Sequence, residues 1–359
     1  MLEEIKVKFD SFIDIANEHV GSHPWLIVIL MHEYFRNLYP VDPYIPLESP
    51  NESPMLRISR MLDNFIKTLN SSKIIGSYFD NIANLMDKIE LSILRRDDTR
   101  QKEGVTQRVY GKLWDKFETD EYIKEAYRTI ENRFKDKFEL SALKGKTVLD
   151  MGCGSGRYTI ALAKTGAEKV YGIDLGEKSI QQGALIAQKA GIRNVEFSIG
   201  SILDLPYEDN LFDFVFCNGV LHHTENLELG INELYRTLRP GGESFLYLYA
   251  DGGIFWYSRK KMPKVMKKIP QNYTMAILDL LGMPNNRFLF TDNWYVPIER
   301  HISREYLEEY LRKAGFESIK KMISGGPTDL DSMQIAKIPQ TKEIWGDGEH
   351  RYILKKGIL

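Results

Sequence analysis

"VLDMGCGSGRYT", Val148 to Thr159, decides the fold of this 359-residue chain. An apolar run ends at an acid, Asp150, and Gly152, Gly154 and Gly156 crowd into the residues that follow. The run reads as a short buried strand, and "RYTIALAKTGA" after it reads as a helix closed by glycine. A glycine loop between a strand and a helix is a place to hold a nucleotide. The spacing is GxGxG, with Arg157 where a dinucleotide fingerprint wants its third glycine. The lysine of a phosphate-cradling GxxxxGK[ST] loop is missing as well.

Outward from the loop the texture repeats. "KVYGIDL", "NVEFSIGS", "FDFVFCNG" and "ESFLYLYA" read as strands. "EKSIQQGALIAQKAG" and "NLELGINELYRTLRPGG" read as helices, the second stopped by Pro240-Gly241-Gly242. Strands alternating with helices predict a parallel, doubly wound α/β sheet, and "ESIKKMISGG" and "HRYILKKGI" look like two closing strands. Upstream, residues 1–38 and 56–94 show helical apolar spacing on either side of a proline-rich stretch, Pro40 to Pro54. The charged "RRDDTRQKEG", Arg95 to Gly104, marks a boundary. The expected domains are a helical N-terminal domain over 1–104 and a nucleotide-binding core with its cover helices over 105–250. An inserted lid over 251–301 and a C-terminal completion of the sheet over 302–359 follow.

Two carboxylates narrow the ligand. Asp150 beside the loop would repel a pyrophosphate, which wants amide donors and a positive helix end. It suits a ligand bearing an ammonium group. Asp174 ends the second strand, where an acid can accept both hydroxyls of a ribose. An ammonium, a ribose and no phosphate between them describe S-adenosylmethionine.

Residues 147–250 resemble the class I S-adenosylmethionine-dependent methyltransferases, of the small-molecule type. The motifs carrying the resemblance are "VLDMGCGSG", "VYGIDL", "GSILDLPYEDNLFDFVF", "NGVLHH" and "LYRTLRPGGESFLY", in that order. The likeness implies a Rossmann-like seven-stranded sheet, S-adenosyl-L-methionine as cofactor, and a methyltransferase activity. It implies that Asp150, Gly152, Cys153, Gly154 and Gly156 meet the methionine part, that Asp174 holds the ribose and that Leu175 packs on the adenine. Ser201 stands where relatives carry an aspartate that reads the adenine amino group, so Ser201 with the Ile202 amide, or Asp204, would take that task. Asn218 would face the methionine carboxylate and the methyl group. Tyr110 and Trp114 match the upstream aromatic that closes over the methionine part in many relatives.

Composition bounds the rest. With 48 basic against 50 acidic residues, bulk charge argues neither for nucleic acid nor for a membrane surface. The two cysteines, Cys153 and Cys217, have no metal-ligand spacing, and no metal site is expected. "MLEEIKVKFD" lacks a signal-peptide core, and the apolar run Trp25–Met31 falls far short of the ~20 residues that span a bilayer. The expected location is the cytoplasm.

An oxygen acceptor usually needs a base. "VLHHTEN" puts His222 and His223 past the fourth strand, at the carboxyl edge, and "TDNWYVPIERHIS" offers Glu299 and His301. Lys260, Lys261, Lys264, Lys267 and Lys268 recur at helical spacing and suggest either a solvated face or an anionic acceptor. The expected reaction is in-line methyl transfer to an oxygen or nitrogen of a small metabolite or sugar-type acceptor, with homo-oligomerisation left open. The alternatives are a methyltransferase acting on protein or RNA, and a silent cofactor-binding scaffold.

Overall fold

Alternation of strand and helix leaves a chain one economical solution, a sheet of parallel strands covered on both faces. The computed structural model describes residues 1–38, 53–71, 119–134, 138–281, 294–322 and 340–358. They divide into two compact units, one of 1–100, 252–296 and 336–346, the other of 101–251, 297–335 and 347–359.

The second unit carries a seven-stranded sheet. Its strands are β1 (Thr147–Met151), β2 (Lys169–Asp174), β3 (Val195–Ile199), β4 (Phe212–Asn218), β5 (Leu238–Tyr249), β6 (Phe316–Lys321) and β7 (Glu349–Lys356), in the order β3-β2-β1-β4-β5-β7-β6. The first five run parallel, and β7 is antiparallel between β5 and β6. The order reverses between β1 and β4, so a crevice opens at their carboxyl ends, the place where this topology binds ligands.

β1 has apolar neighbours on both faces. Leu149 and Met151 join Val215, Leu246 and Leu234 on one side. Val148 joins Phe214, Phe216, Phe245 and Phe134 on the other. Phe134, from the Thr119–Phe134 helix, sets its ring edge-on to Phe245 at 5.0 Å. Asn226 caps the Leu227–Thr237 helix by accepting from the Leu229 amide.

That helix ends sooner than "RTLRPGG" suggests. β5 begins at Leu238, directly after it, and the register with β4 slips between Phe212 and Phe214. Pro240 bars its predecessor from helix, and Gly241 takes φ +75°, so the residues between Leu238 and Glu243 loop out of the ladder. Likewise, residues 1–38 form two helices, Leu2–His19 and Pro24–Leu38, because Pro24 restarts the chain as a first-turn residue.

The first unit is helical. Leu2–His19, Pro24–Leu38 and Pro54–Asn70 pack with Gly253–Lys261, Gln271–Leu280 and the short Thr341–Trp345. Phe9 and Tyr34 meet at 4.7 Å, Phe12 and Phe65 at 5.5 Å, and Phe35 and Phe255 at 5.4 Å. Residues 252–296 therefore group with the N-terminal helices rather than standing as an insertion of their own, whereas 297–301 belongs to the sheet unit. Residues 72–94 of the expected second helix, and the boundary at 95–104, lie outside the described residues. No helix among the described residues is long and apolar enough to cross a membrane.

Candidate active site

Gly152, Gly154 and Gly156 all take positive φ, at +82°, +53° and +74°. A Cβ on Gly152 would strike Val220 at 2.5 Å, and one on Gly156 would strike the Phe197 ring at 2.5 Å. Those two glycines are demanded from within. Around Gly154 nothing lies within 4 Å of an added Cβ, so there the loop borders open space.

Four amides of this loop are spent inside the protein. Gly152 and Cys153 both donate to Ile173 O at 2.9 Å, Gly156 donates to Cys153 O, and Gly154 donates to Asp174 Oδ2 at 2.9 Å. A phosphate needs such donors free. What the loop can present instead is carbonyl oxygen and bare Cα surface, which suits an ammonium and not an anion. The Cys153 thiol is buried beside Asp150, and burial raises its pKa well above the usual thiol range; it is core, and no ligand contact is assigned to it.

Asp150 is buried, with Oδ2 accepting from Thr159 Oγ1 at 2.7 Å. Burial pushes its carboxyl up to about 7, with the Thr159 hydroxyl opposing the shift and the Asp174 charge adding to it. Asp174 is pushed upward by burial too, against the amide bonds from Gly176 and Gly154. Each of its oxygens takes one amide, Gly176 N at Oδ1 and Gly154 N at Oδ2, and a carboxylate oxygen keeps a second lone pair for a hydroxyl.

Beside Asp174, Leu175 is 40 % exposed and Ile199, at the end of β3, 55 % exposed. The sequence reading missed Ile199, although its register partner is Asp174 itself. Two bare apolar side chains at neighbouring strand ends make a platform for a planar ring. Ser201 Oγ accepts from Leu203 N at 3.1 Å, which ties it into a turn, while the Ile202 side chain is buried in the core. Asp204 is exposed, and its amide donates to Ser201 O. Tyr110 and Trp114 lie outside the described residues.

The four expected acid–base residues come from two loops that the fold stitches together. Arg300 N donates to His222 O at 2.8 Å, His223 Nδ1 meets Ile298 O at 2.7 Å, and Arg300 Nε donates to Thr224 O at 3.0 Å. His301 Nε2 meets Glu299 Oε1 at 2.7 Å, with the imidazole 1 % and the carboxylate 11 % exposed. These partners fix the tautomers. A carbonyl only accepts, so His223 carries its proton on Nδ1. An ionised carboxylate only accepts, so His301 carries one on Nε2. His222 Nδ1 accepts from Tyr249 N at 3.2 Å, leaving its proton on Nε2, and its ring stacks on Tyr249 at 3.6 Å. Each ring is thus held by a named partner, His222 by Tyr249, His223 by Ile298 and His301 by Glu299.

Beyond His222 lies a polar layer that the sequence did not reveal. Tyr247 Oη donates to Glu349 at 2.8 Å, Glu349 pairs with Arg351, and the Arg351 guanidinium stands 4.9 Å from the Tyr247 ring. Asn218 accepts from Arg133 at the end of β4. These residues sit on strands and helices far apart in the chain, so spacing carried no signal.

The lysine stripe lies on the helical unit. In the helical unit Lys261 pairs with Asp10 at 3.2 Å, Lys264 with Asp14 at 2.6 Å, and Lys268 donates to Asn17 at 2.6 Å. Those three reach polar side chains of the Leu2–His19 helix on a largely solvated face. No grouping of His, Cys, Asp and Glu among the described residues could hold a metal ion.

Comparison with known proteins bears on this geometry. Residues 142–312 match the family model of a methyltransferase domain. Demethylmenaquinone methyltransferase of Geobacillus stearothermophilus is 28 % identical over 184 residues, covering 50 % of this chain and 75 % of that protein. Norajmaline N-methyltransferase of Rauvolfia serpentina is 31 % identical over 150 residues, covering 41 % and 51 %. A tRNA U34 carboxymethyltransferase of Hahella chejuensis is 30 % identical over 195 residues, covering 54 % and 52 %. The glycine loop between β1 and its helix, with Asp150 and Asp174 beside it, lies inside that match, and residues 142–312 form an S-adenosylmethionine-dependent methyltransferase domain of class I.

Proposed function

We propose that the chain methylates an oxygen or nitrogen of a small organic acceptor, using a base at the carboxyl edge of β4. The observation carrying this reading is the Glu299–His301 pair, strapped beside His222 and His223. When bound, the cofactor supplies a methyl group on a positively charged sulfur, which departs as a neutral thioether. The protein's residues hold, orient and take a proton.

Asp174 would receive the ribose hydroxyls, Leu175 and Ile199 the adenine faces, with Ser201 or the Ile202 amide at its edge. Asp150 and the loop carbonyls would receive the ammonium. His301 would take the acceptor's proton, and Glu299 would hold the imidazole and stabilise the charge it acquires. His222 would donate from Nε2 to the acceptor, and His223 would hold the strap. The names of the menaquinone and alkaloid relatives support a small acceptor.

A cell extract labelled with a radioactive methyl donor tests the reading. Label is expected in the small-molecule fraction and is expected to vanish with Asp174→Ala, which should weaken cofactor binding by about 10- to 100-fold through loss of charge-assisted bonds. Label in RNA or protein would replace the small acceptor with a polymer. No transfer despite retained cofactor would favour a silent scaffold.

A further inference from the structure

Arg133 is the next-to-last residue of the Thr119–Phe134 helix, and its guanidinium reaches the carboxyl edge of β4, where Nη1 donates to Asn218 Oδ1. Two rings flank it, Tyr158 at 5.9 Å and Tyr247 at 5.6 Å. Its Nε is buried without a hydrogen-bond partner. Among the described residues this half-buried cation meets an amide oxygen and ring faces but no carboxylate. Glu349 of the same layer is engaged by Tyr247 and Arg351. Withdrawing a guanidinium from water without a counter-ion is costly, and a carboxylate offers it paired, charge-assisted bonds.

The register says what lies beside it. Asp150 is aligned with Phe216 across β1 and β4, so Asn218, two residues on, stands level with the start of the glycine loop. Tyr158 belongs to the helix that the loop opens. Asp150 on β1 and Asn218 on β4, which Arg133 reaches, therefore stand on neighbouring strands beside the start of the glycine loop, with opposite charges at the place where an amino acid with both an ammonium and a carboxylate would end.

We propose that Arg133 is the counter-ion of the carboxylate at the cofactor's amino-acid end, with Asn218 fixing the plane of its guanidinium. The assignment rests on the cofactor site described above and moves the carboxylate contact from Asn218 to Arg133. Asn218 becomes a positioning residue, its amide oxygen turned to the arginine.

The test compares two ligands, S-adenosylhomocysteine and its decarboxylated form S-adenosyl-3-thiopropylamine, by calorimetry on the full chain. The wild-type protein is expected to prefer the carboxylate-bearing ligand by about 10- to 100-fold, the range of one charged hydrogen-bonded contact. Arg133→Met is expected to abolish that preference by weakening S-adenosylhomocysteine alone, with the decarboxylated ligand unchanged within about twofold. The preference is a ratio within one preparation, so a reduced folded fraction cancels. If Arg133→Met does not fold, Arg133→Gln removes the charge and keeps a donor for Asn218, with the same expectation. A neutral variant that discriminates as the wild type does would overturn the proposal, as would a wild-type protein that binds both ligands equally well. Wild-type protein that binds neither ligand would overturn the cofactor site with it.

Discussion

Burial lifts Asp150 to about 7, and the consequence runs through both stability and binding. A carboxyl whose folded pKa exceeds its unfolded one favours the folded state below the unfolded value of about 4, and that advantage fades as pH rises toward 7. An ammonium ligand reverses the balance, because it needs the ionised form. Cofactor affinity should therefore climb as pH rises to about 7 and fall again above about 8, where an α-amino group loses its own proton. Titration calorimetry between these limits at constant ionic strength measures it, and Asp150→Asn should flatten the acid limb. A wild-type acid limb already flat would sink the assignment. Asp150, the glycines and Asp174 were legible because they lie in one continuous strand–loop–strand run whose local geometry fixes their neighbours. Arg133 was not, since its partner Asn218 is 85 positions away and no periodicity tells which strand a helix end will face.

The segment from Pro297 to Ile302 acts as a strap. Arg300 ties it to Thr224 O and Glu225 O, and the buried His350, on β7, donates from Nε2 to Ile302 O at 2.7 Å. Burial depresses the His350 pKa and keeps the ring neutral, which suits a purely structural anchor. The strap brings a carboxylate and an imidazole within one hydrogen bond, and the proposed base follows from that. With the labelled acceptor fraction as substrate, His301→Asn should lower turnover by about 10²- to 10⁴-fold at unchanged cofactor affinity. Glu299→Gln should fall less and shift the acid limb of the pH–rate profile. Full turnover in His301→Asn would leave His223 as the base or none at all. The lysine stripe carries the opposite expectation. Lys264 is 55 % exposed, so Lys264→Ala should leave methyl transfer unchanged and change stability by at most about 0.5 kcal/mol. The strands were readable because each is a short apolar run with glycine or proline at its borders. The strap was readable only as candidate residues, since its bonds run to a loop about 75 positions earlier.

At the scale of the molecule, the helical unit is assembled from three separate stretches of chain, and its core is correspondingly non-local. Tyr34 meets Ser258 across 224 positions at 2.6 Å, and Tyr257 donates to Asp10 at 2.6 Å. Amphipathic spacing marked the N-terminal stretches as helical, but it could not say that their apolar faces would be covered by residues after the fifth strand. A core of this kind should open as one piece, because no one segment buries its own face. Phe12 is fully buried against Phe9 and Phe65, and Phe12→Ala removes about 3–5 kcal/mol of packing. Amide hydrogen exchange followed by mass spectrometry should then show protection falling together over 2–19, 54–70 and 253–261, although the last lies some 240 residues from the substitution. Loss confined to 2–19 would mean that the first helix is only an appendage, and that the other segments hold a core without it.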